Sequence, residues 1–213
     1  DGKPAVTRGW WKGFYDGWHY FNGSSSAVEN GWVLDKGNWY WMDGLSHMSV
    51  NTWVQDGDKW YWVDDSGHML RGGWQRIGGT WYYLTGSGAM ATGWLNDRGS
   101  WYYLHASGKM GQAWVHDGTG WYWMDPSSGR MDAGGWRNIW GSWYYLSGSG
   151  KAVEGWMLDR GSWYYMQPGI AQMRTGWIND GTGWFLLSNS GAMRSGGWVQ
   201  DNGNWYWLDG NGK

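Results

Sequence analysis

Residues Gly93 to Met110 read GWLNDRGSWYYLHASGKM. A Gly-Trp pair and one or two further residues lead into a polar turn at Asp97-Arg98-Gly99. An aromatic run, Trp101-Tyr102-Tyr103-Leu104, follows, then a polar break at Ser107-Gly108, then Met110. Short runs of β-forming residues bounded by Gly and Asp predict strands. Asp with Gly supplies the positive φ and local hydrogen bonds that a hairpin turn needs. The same line recurs down the chain. Its first Trp falls at Trp11, Trp32, Trp53, Trp74, Trp94, Trp114, Trp136, Trp156, Trp177 and Trp198. A second Trp follows seven residues later each time, from Trp18 and Trp39 to Trp184 and Trp205, and the period is 20 to 22 residues. Further turns of the same kind lie at Asp35-Lys36-Gly37, Asp159-Arg160-Gly161 and Asp201-Asn202-Gly203. Gly recurs too often for a helix of ordinary length. An isolated hairpin is marginal in water, so the units must cover one another. The pattern predicts an all-β solenoid of about ten stacked hairpin repeats. Leu84, Leu104, Leu146 and Leu208, at the fourth position of the second strand, are its expected core.

Composition sharpens this picture. Trp, Tyr and Gly (26, 14 and 40 residues) make up over a third of the 213. So much Gly would fit disorder, but disorder goes with few aromatics, and here aromatics are 20% of the chain. The net charge is −2 and the basic residues are scattered. That leaves no basic stripe for a phosphate backbone and argues against nucleic acid. No apolar run approaches the roughly 18 residues of a membrane span. Cys is absent, which excludes disulfides and Cys-based zinc sites. Residues 1–9, DGKPAVTRG, match the closing half of a unit such as GKAVEG at 150–155, and Lys213 stops in the same half-unit. The expectation is a single array over 1–213, cut from a longer protein.

Catalysis finds little support. His19, His47, His68, His105 and His116 read as unrelated positions in different units, and no hydrolase or metalloprotease motif occurs. Asp56, Asp97, Asp117, Asp180 and Asp201 recur at turns, where turn-making is the ordinary role of Asp. Asp43, Asp64, Asp125 and Asp209 follow the second strand and read the same way. Calcium repeats need denser Asp spacing. No metal or cofactor is expected.

The aromatics carry the chemistry. One reading is core, since each ring can bury ~150–250 Å². The seven-residue spacing, however, is expected to set the two Trp of a unit opposite each other on one face. Trp pairs without Leu or Val between them make walls better than they fill a core. With an aromatic from the next hairpin and a Met they form an open box of π-faces, with no donors or carboxylates aimed inward. Such a box suits a quaternary ammonium, whose diffuse charge and methyl groups favour ring faces. One box gives roughly millimolar affinity, and a row of them gains by effective concentration on a repeating polymer.

GWLNDRGSWYYLHASGKMGQAW and GGWQRIGGTWYYLTGSGAMATGW resemble the choline-binding, or cell-wall-binding, repeats of Gram-positive surface proteins and phage lysins. The likeness covers nearly the whole chain. It implies a left-handed superhelix of hairpins with ligands between consecutive units, each held by two Trp, a Tyr from the next unit and a nearby Met. On this sequence the sets are Trp32, Trp39 and Tyr61; Trp53, Trp60 and Tyr82; Trp74, Trp81 and Tyr102; Trp94, Trp101 and Tyr122; Trp114, Trp121 and Tyr144; and Trp136, Trp143 and Tyr164. Trp156 with Trp163, and Trp177 and Trp184 with Tyr206, extend the row, and Met69, Met90, Met110 and Met131 are the methionines. The third-position residues Tyr83, Tyr103 or Trp123 are the alternative third walls.

Several units depart from the pattern. Unit one has Trp10 beside Trp11, and His19 at the middle position. Ala27 and Ala152 stand where Met is expected, Thr52 and Ala113 replace the Gly before Trp, and unit nine carries Phe185. Trp140 reads as an insertion that lengthens the turn of unit seven. The resemblance implies a non-catalytic module on choline-bearing teichoic or lipoteichoic acid, secreted to the bacterial cell surface, with a homodimer compatible with it. The alternatives are a glucan- or wall-polysaccharide-binding module and a structural spacer.

Overall fold

The computed structural model describes residues 8–13, 17–24 and 26–213. Most of the 1–9 half-unit therefore lies outside the described residues. Among them the structure is all-β, with no helix. Ten antiparallel two-stranded sheets follow one another in chain order. The strands are Arg8–Lys12 with Trp18–Asn22, Gly31–Asp35 with Asn38–Met42, Thr52–Asp56 with Lys59–Val63, Gly73–Ile77 with Thr80–Leu84, and Gly93–Asp97 with Ser100–Leu104. Then come Ala113–His116 with Trp121–Met124, Gly135–Ile139 with Ser142–Leu146, Gly155–Asp159 with Ser162–Met166, Gly176–Asn179 with Trp184–Leu187, and Gly197–Asp201 with Asn204–Leu208. We number these hairpins one to ten. The chain divides into two compact units, Asp1–Leu95 with Leu104–Met110, and Asn96–Tyr103 with Gly111–Lys213. Hairpins one to four belong to the first, six to ten to the second, and the fifth is divided between them.

Turn chemistry sets each hairpin. In hairpin eight, Asp159 pairs with Ser162 across Arg160 (φ 47°) and Gly161 (φ 82°). Two positive φ values make the turn whose twist matches the flanking strands. Hairpin seven has the same geometry: Ile139 pairs with Ser142, leaving only Trp140 (φ 50°) and Gly141 in the loop. Trp140 is thus no insertion. It takes the place of Arg160 and stands exposed against the ring of Trp123. Hairpins six and nine differ instead. Asp117-Gly118-Thr119-Gly120 and Asp180-Gly181-Thr182-Gly183 make four-residue loops, and each Asp Oδ1 accepts from the Thr and second Gly amides.

The register corrects the expected placement of the two Trp. In hairpin three Trp53 pairs with Trp62 and Gln55 with Trp60. Trp53 and Trp60 share a face, because alternate residues do, but they are diagonal. The residue opposite the first Trp is the third-position aromatic, edge-on at 5.1 Å in Trp32–Trp41 and 5.3 Å in Trp136–Tyr145. Hairpin one is also reset by its register. Trp10 pairs with Tyr20 and Trp11 with His19, so Trp10, not Trp11, is the equivalent of Trp32.

The core consists of small clusters. Leu84, Leu104, Leu146 and Leu208 are at most 2% exposed, and so are Met42, Val63, Met124, Met166 and Leu187 at the same position. Full burial of one such side chain contributes about 1.5–3 kcal/mol. Where a Met follows a hairpin it bridges that hairpin's fourth-position residue, as in Val63–Met69 and Met166–Met173. Its N–H reaches back to the second Trp of the hairpin before: Met48 to Trp18 O, Met69 to Trp39 O, Met90 to Trp60 O, Met110 to Trp81 O, Met131 to Trp101 O, Met173 to Trp143 O and Met193 to Trp163 O, at 2.7–2.9 Å. The hydrogen bond fixes how far one hairpin is offset from the next.

Candidate functional site

Three aromatic slots are fully drawn, each built from three successive repeats. The first has Trp32 and Trp39 from hairpin two, and Tyr61, Met69 and Arg71 from the third repeat. Ser87 of the fourth closes it, around a cavity of about 320 Å³. The second holds Trp53, Trp60 and Met90, with Ala106 and Ser107, in about 310 Å³. The third brings together Trp136, Trp143, Tyr164 and Met173 with Asn189 and Ser190, in about 360 Å³. The loop residue two repeats on was not anticipated. It arrives because the Gly beside it lies over the Met: Gly88 sits against Met69, Gly108 against Met90 and Gly191 against Met173.

The middle aromatic of the second strand faces the preceding hairpin. Tyr61 lies 5.1 Å from Trp32, Tyr82 4.9 Å from Trp53, Tyr144 4.7 Å from Trp114, Tyr164 4.8 Å from Trp136 and Tyr206 4.9 Å from Trp177. Phe185 takes the same place on Trp156 at 4.8 Å. The third-position residues stay with their own hairpin, beside the first Trp. The second Trp is the open wall. Trp60, Trp143 and Trp163 are 40–45% exposed. Trp114–Trp121 and Trp136–Trp143 stand 6.5 and 6.4 Å apart and close to perpendicular. Trp177 and Trp184 belong to hairpin nine, whose open wall Trp184 is more exposed than Trp143 of hairpin seven. The sets Trp74, Trp81 and Tyr102, and Trp94, Trp101 and Tyr122, draw on both compact units and stay with the sequence reading.

The slots are not free of carboxylates, contrary to expectation. The indole N–H of Trp32 donates to Asp56 Oδ2 at 3.1 Å, and Asp56 lines that slot. The same hydrogen bond recurs as Trp10 to Asp35, Trp136 to Asp159, Trp156 to Asp180 and Trp177 to Asp201, at 2.8–3.1 Å. Asp35, Asp56, Asp159 and Asp201 end their first strand and Asp180 opens the loop after it, and each holds the first Trp of the repeat before. The signal was present, because they recur three residues after a Trp, but turn-making accounted for them alone. Ile77 and Ile139 stand at that position in units four and seven. The Trp156 indole, helped by the Thr182 amide and hydroxyl and the Gly183 amide, holds Asp180 down to about 2.

The residue before Met also reaches back one repeat. His68 Nε2 lies 3.0 Å from Tyr40 Oη, Arg130 Nε donates to Tyr102 Oη at 3.2 Å, and Gln172 Nε2 donates to Ser142 Oγ at 2.6 Å. His47 stands at the same place and meets the His19 ring at 5.1 Å. His47 and His68 are therefore equivalent positions, not unrelated ones. The sequence obscured this because the position also accepts Lys, Arg, Gln and Ala.

Known proteins agree with this architecture. The choline-binding repeat profile matches residues 70–113. The cell-wall-binding repeat profile matches 30–44, 51–69, 113–131, 134–152, 175–193 and 196–213. No curated protein matches the chain in sequence. Among solved structures, CbpJ from Streptococcus pneumoniae superposes with a TM-score of 0.79 at 29% identity, over 95% of this chain and 85% of that one. The choline-binding domain of CbpL, from the same organism, gives 0.61 at 30% identity, over 87% and 96%. Choline binding protein F, also from Streptococcus pneumoniae and crystallised with a peptidoglycan analogue, gives 0.59 at 32%, over 92% of this chain and 60% of that one. Hairpin repeats, aromatic clusters and the family profiles together place this chain in the choline-binding repeat family, as a choline- and cell-wall-binding module.

Proposed function

We propose that the chain is a non-catalytic anchor that holds choline groups of teichoic or lipoteichoic acid at a bacterial cell surface. Trp32, Trp39, Tyr61 and Met69 recur as Trp136, Trp143, Tyr164 and Met173, and that recurrence carries the reading. Each slot offers ring faces on several sides and a thioether at its base. A trimethylammonium group needs such faces and no hydrogen-bond acceptor aimed along an N–H. Cation–π attraction contributes about 0.5–2 kcal/mol per ring. A net gain on the order of 4 kcal/mol corresponds to roughly millimolar affinity. Single slots are weak, and the repeat compensates by raising effective concentration along a polymer that repeats its choline. In the first slot Asp56 adds a negative charge at the rim. Within each compact unit, successive hairpins present their slots one after another.

Choline titration tests this. Trp fluorescence changes saturably in the millimolar range, dextran leaves it unchanged, and the melting temperature rises with choline because only the stacked state binds. A flat fluorescence trace together with an unmoved melting curve rejects the reading.

A further inference from the structure

We propose that the groove across hairpins six and seven binds a neutral oligosaccharide, with a sugar ring against Trp121, in place of a quaternary ammonium. This goes beyond the choline reading and does not depend on it. Two substitutions remake the position. Ala152 stands where other repeats carry Met, and its N–H still meets Trp121 O at 2.8 Å. Ala171, two residues before Met173 as Gly191 is before Met193, replaces the loop glycine and is fully buried in one cluster with Ala152 and Leu146. The Trp121 indole donates to the carbonyl of Gly169, in the same loop, at 3.0 Å. Trp121 thereby packs on a small cluster of Leu146, Ala152 and Ala171 and is less exposed than Trp143 or Trp163. The ring is locked by its edge and lines a groove of about 780 Å³, roughly twice the size of an aromatic slot.

The charges in the groove argue against a charged ligand of either sign. Lys151 lies along Gly120, where any Cβ would collide with its chain, and its Nζ donates to Thr119 O at 2.6 Å. A fixed ammonium there repels a second cation. Glu154 lines the same groove with Oε2 held by the Gly169 amide at 2.9 Å, which repels an anion. Between them stand the paired hydroxyls of Ser147 and Ser149, 2.9 Å apart, and the His116 ring, 5.0 Å from Trp121. An indole face beside hydroxyls, a carboxylate and an imidazole matches a pyranose ring, which has an apolar C–H face and a rim of hydroxyls.

The test is calorimetry on the intact chain at saturating choline, with two probes: the β-1,4 tetramer of N-acetylglucosamine and maltotetraose. One binding event per chain is expected with at least one probe, and the probe that binds identifies the sugar type. Glu154→Ala weakens it roughly tenfold, the loss of one charged hydrogen bond. Ala152→Met, which restores the family's side chain, abolishes it. If Ala152→Met does not fold, by near-ultraviolet circular dichroism, Glu154→Ala decides alone. No heat from either glycan, unchanged heat in Glu154→Ala, or heat that disappears when choline is added each overturn the proposal. A chain that binds choline but neither glycan overturns this inference and leaves the choline reading standing.

Discussion

The indole N–H of Trp156 donates to Oδ2 of Asp180 at 2.8 Å, across 24 residues of sequence. The hydrogen bond ties the wall of one repeat to the turn of the next. It favours the ionised carboxylate, which lies near 2 against an ordinary 3.8. The stability it contributes is complete above the ordinary value and is lost as pH falls from about 4 toward 2. Trp156→Phe removes the largest cause. The midpoint of the Asp180 carboxyl resonance, followed by NMR, then rises toward 3.8 while the Thr182 and Gly183 contacts keep it from arriving fully.

Removal of one open wall removes one site. Trp143→Ala lowers the number of cholines bound per chain by one, read by calorimetric stoichiometry, and leaves the other sites at their original affinity. Tyr164→Phe keeps the site, because the ring and not the hydroxyl faces Trp136. Trp140→Ala, at an exposed ring of the same hairpin but outside the slot, leaves the stoichiometry unchanged.

Two glycines with the same backbone separate strain from contact. Gly169 and Gly191 have φ of 84° and 83°. A Cβ at Gly169 meets nothing within 4 Å, whereas one at Gly191 collides with the Met173 thioether. Both alanine variants lose stability from the left-handed φ, of the order of 1–2 kcal/mol. Gly191→Ala loses a further ~1–3 kcal/mol from overpacking. Urea denaturation measures the difference, and Met173→Ala in the Gly191→Ala background returns part of it.

Leu146 is fully buried in the cluster with Ala152 and Ala171. Leu146→Ala leaves a void and costs about 2–5 kcal/mol. The near-ultraviolet circular dichroism of Trp114 and Trp121, which pack on that cluster, weakens with it. An unchanged urea midpoint contradicts the assignment of Leu146 to the core.

Much of the architecture was legible because its causes are local. Asp or Ile, then a residue tolerant of positive φ, then Gly, makes a tight turn wherever it occurs. Trp-Tyr-Tyr-Leu after it makes a strand whose fourth residue is buried, as Leu104 and Leu146 show. The middle aromatic as a neighbour of the preceding Trp was implied by the family resemblance, with the third position as the alternative. Where local counting misled, the register explains it. Trp136 and Trp143 are seven apart, yet Trp136 pairs with Tyr145, which leaves the two Trp diagonal. The matching count for Trp11 failed because hairpin one has a longer loop, Lys12 pairing with Trp18. Trp140 read as an insertion, yet it fills the same turn position as Arg160 in hairpin eight.

By itself the sequence determined the period, the hairpins, the buried fourth position and the aromatic character of the slots, since each depends on residues within one turn of each other. The tertiary structure alone decided what crosses from repeat to repeat. It set Asp56 against Trp32, the Met69 amide against the Trp39 carbonyl, and the Ser87 loop at the mouth of a slot that opens two repeats earlier. It also brought the Trp121 indole to the Gly169 carbonyl at the edge of a larger groove. These contacts depend on the offset between successive hairpins. That offset comes from the Met N–H hydrogen bond and from how the rings fit, and no pattern confined to one repeat encodes it.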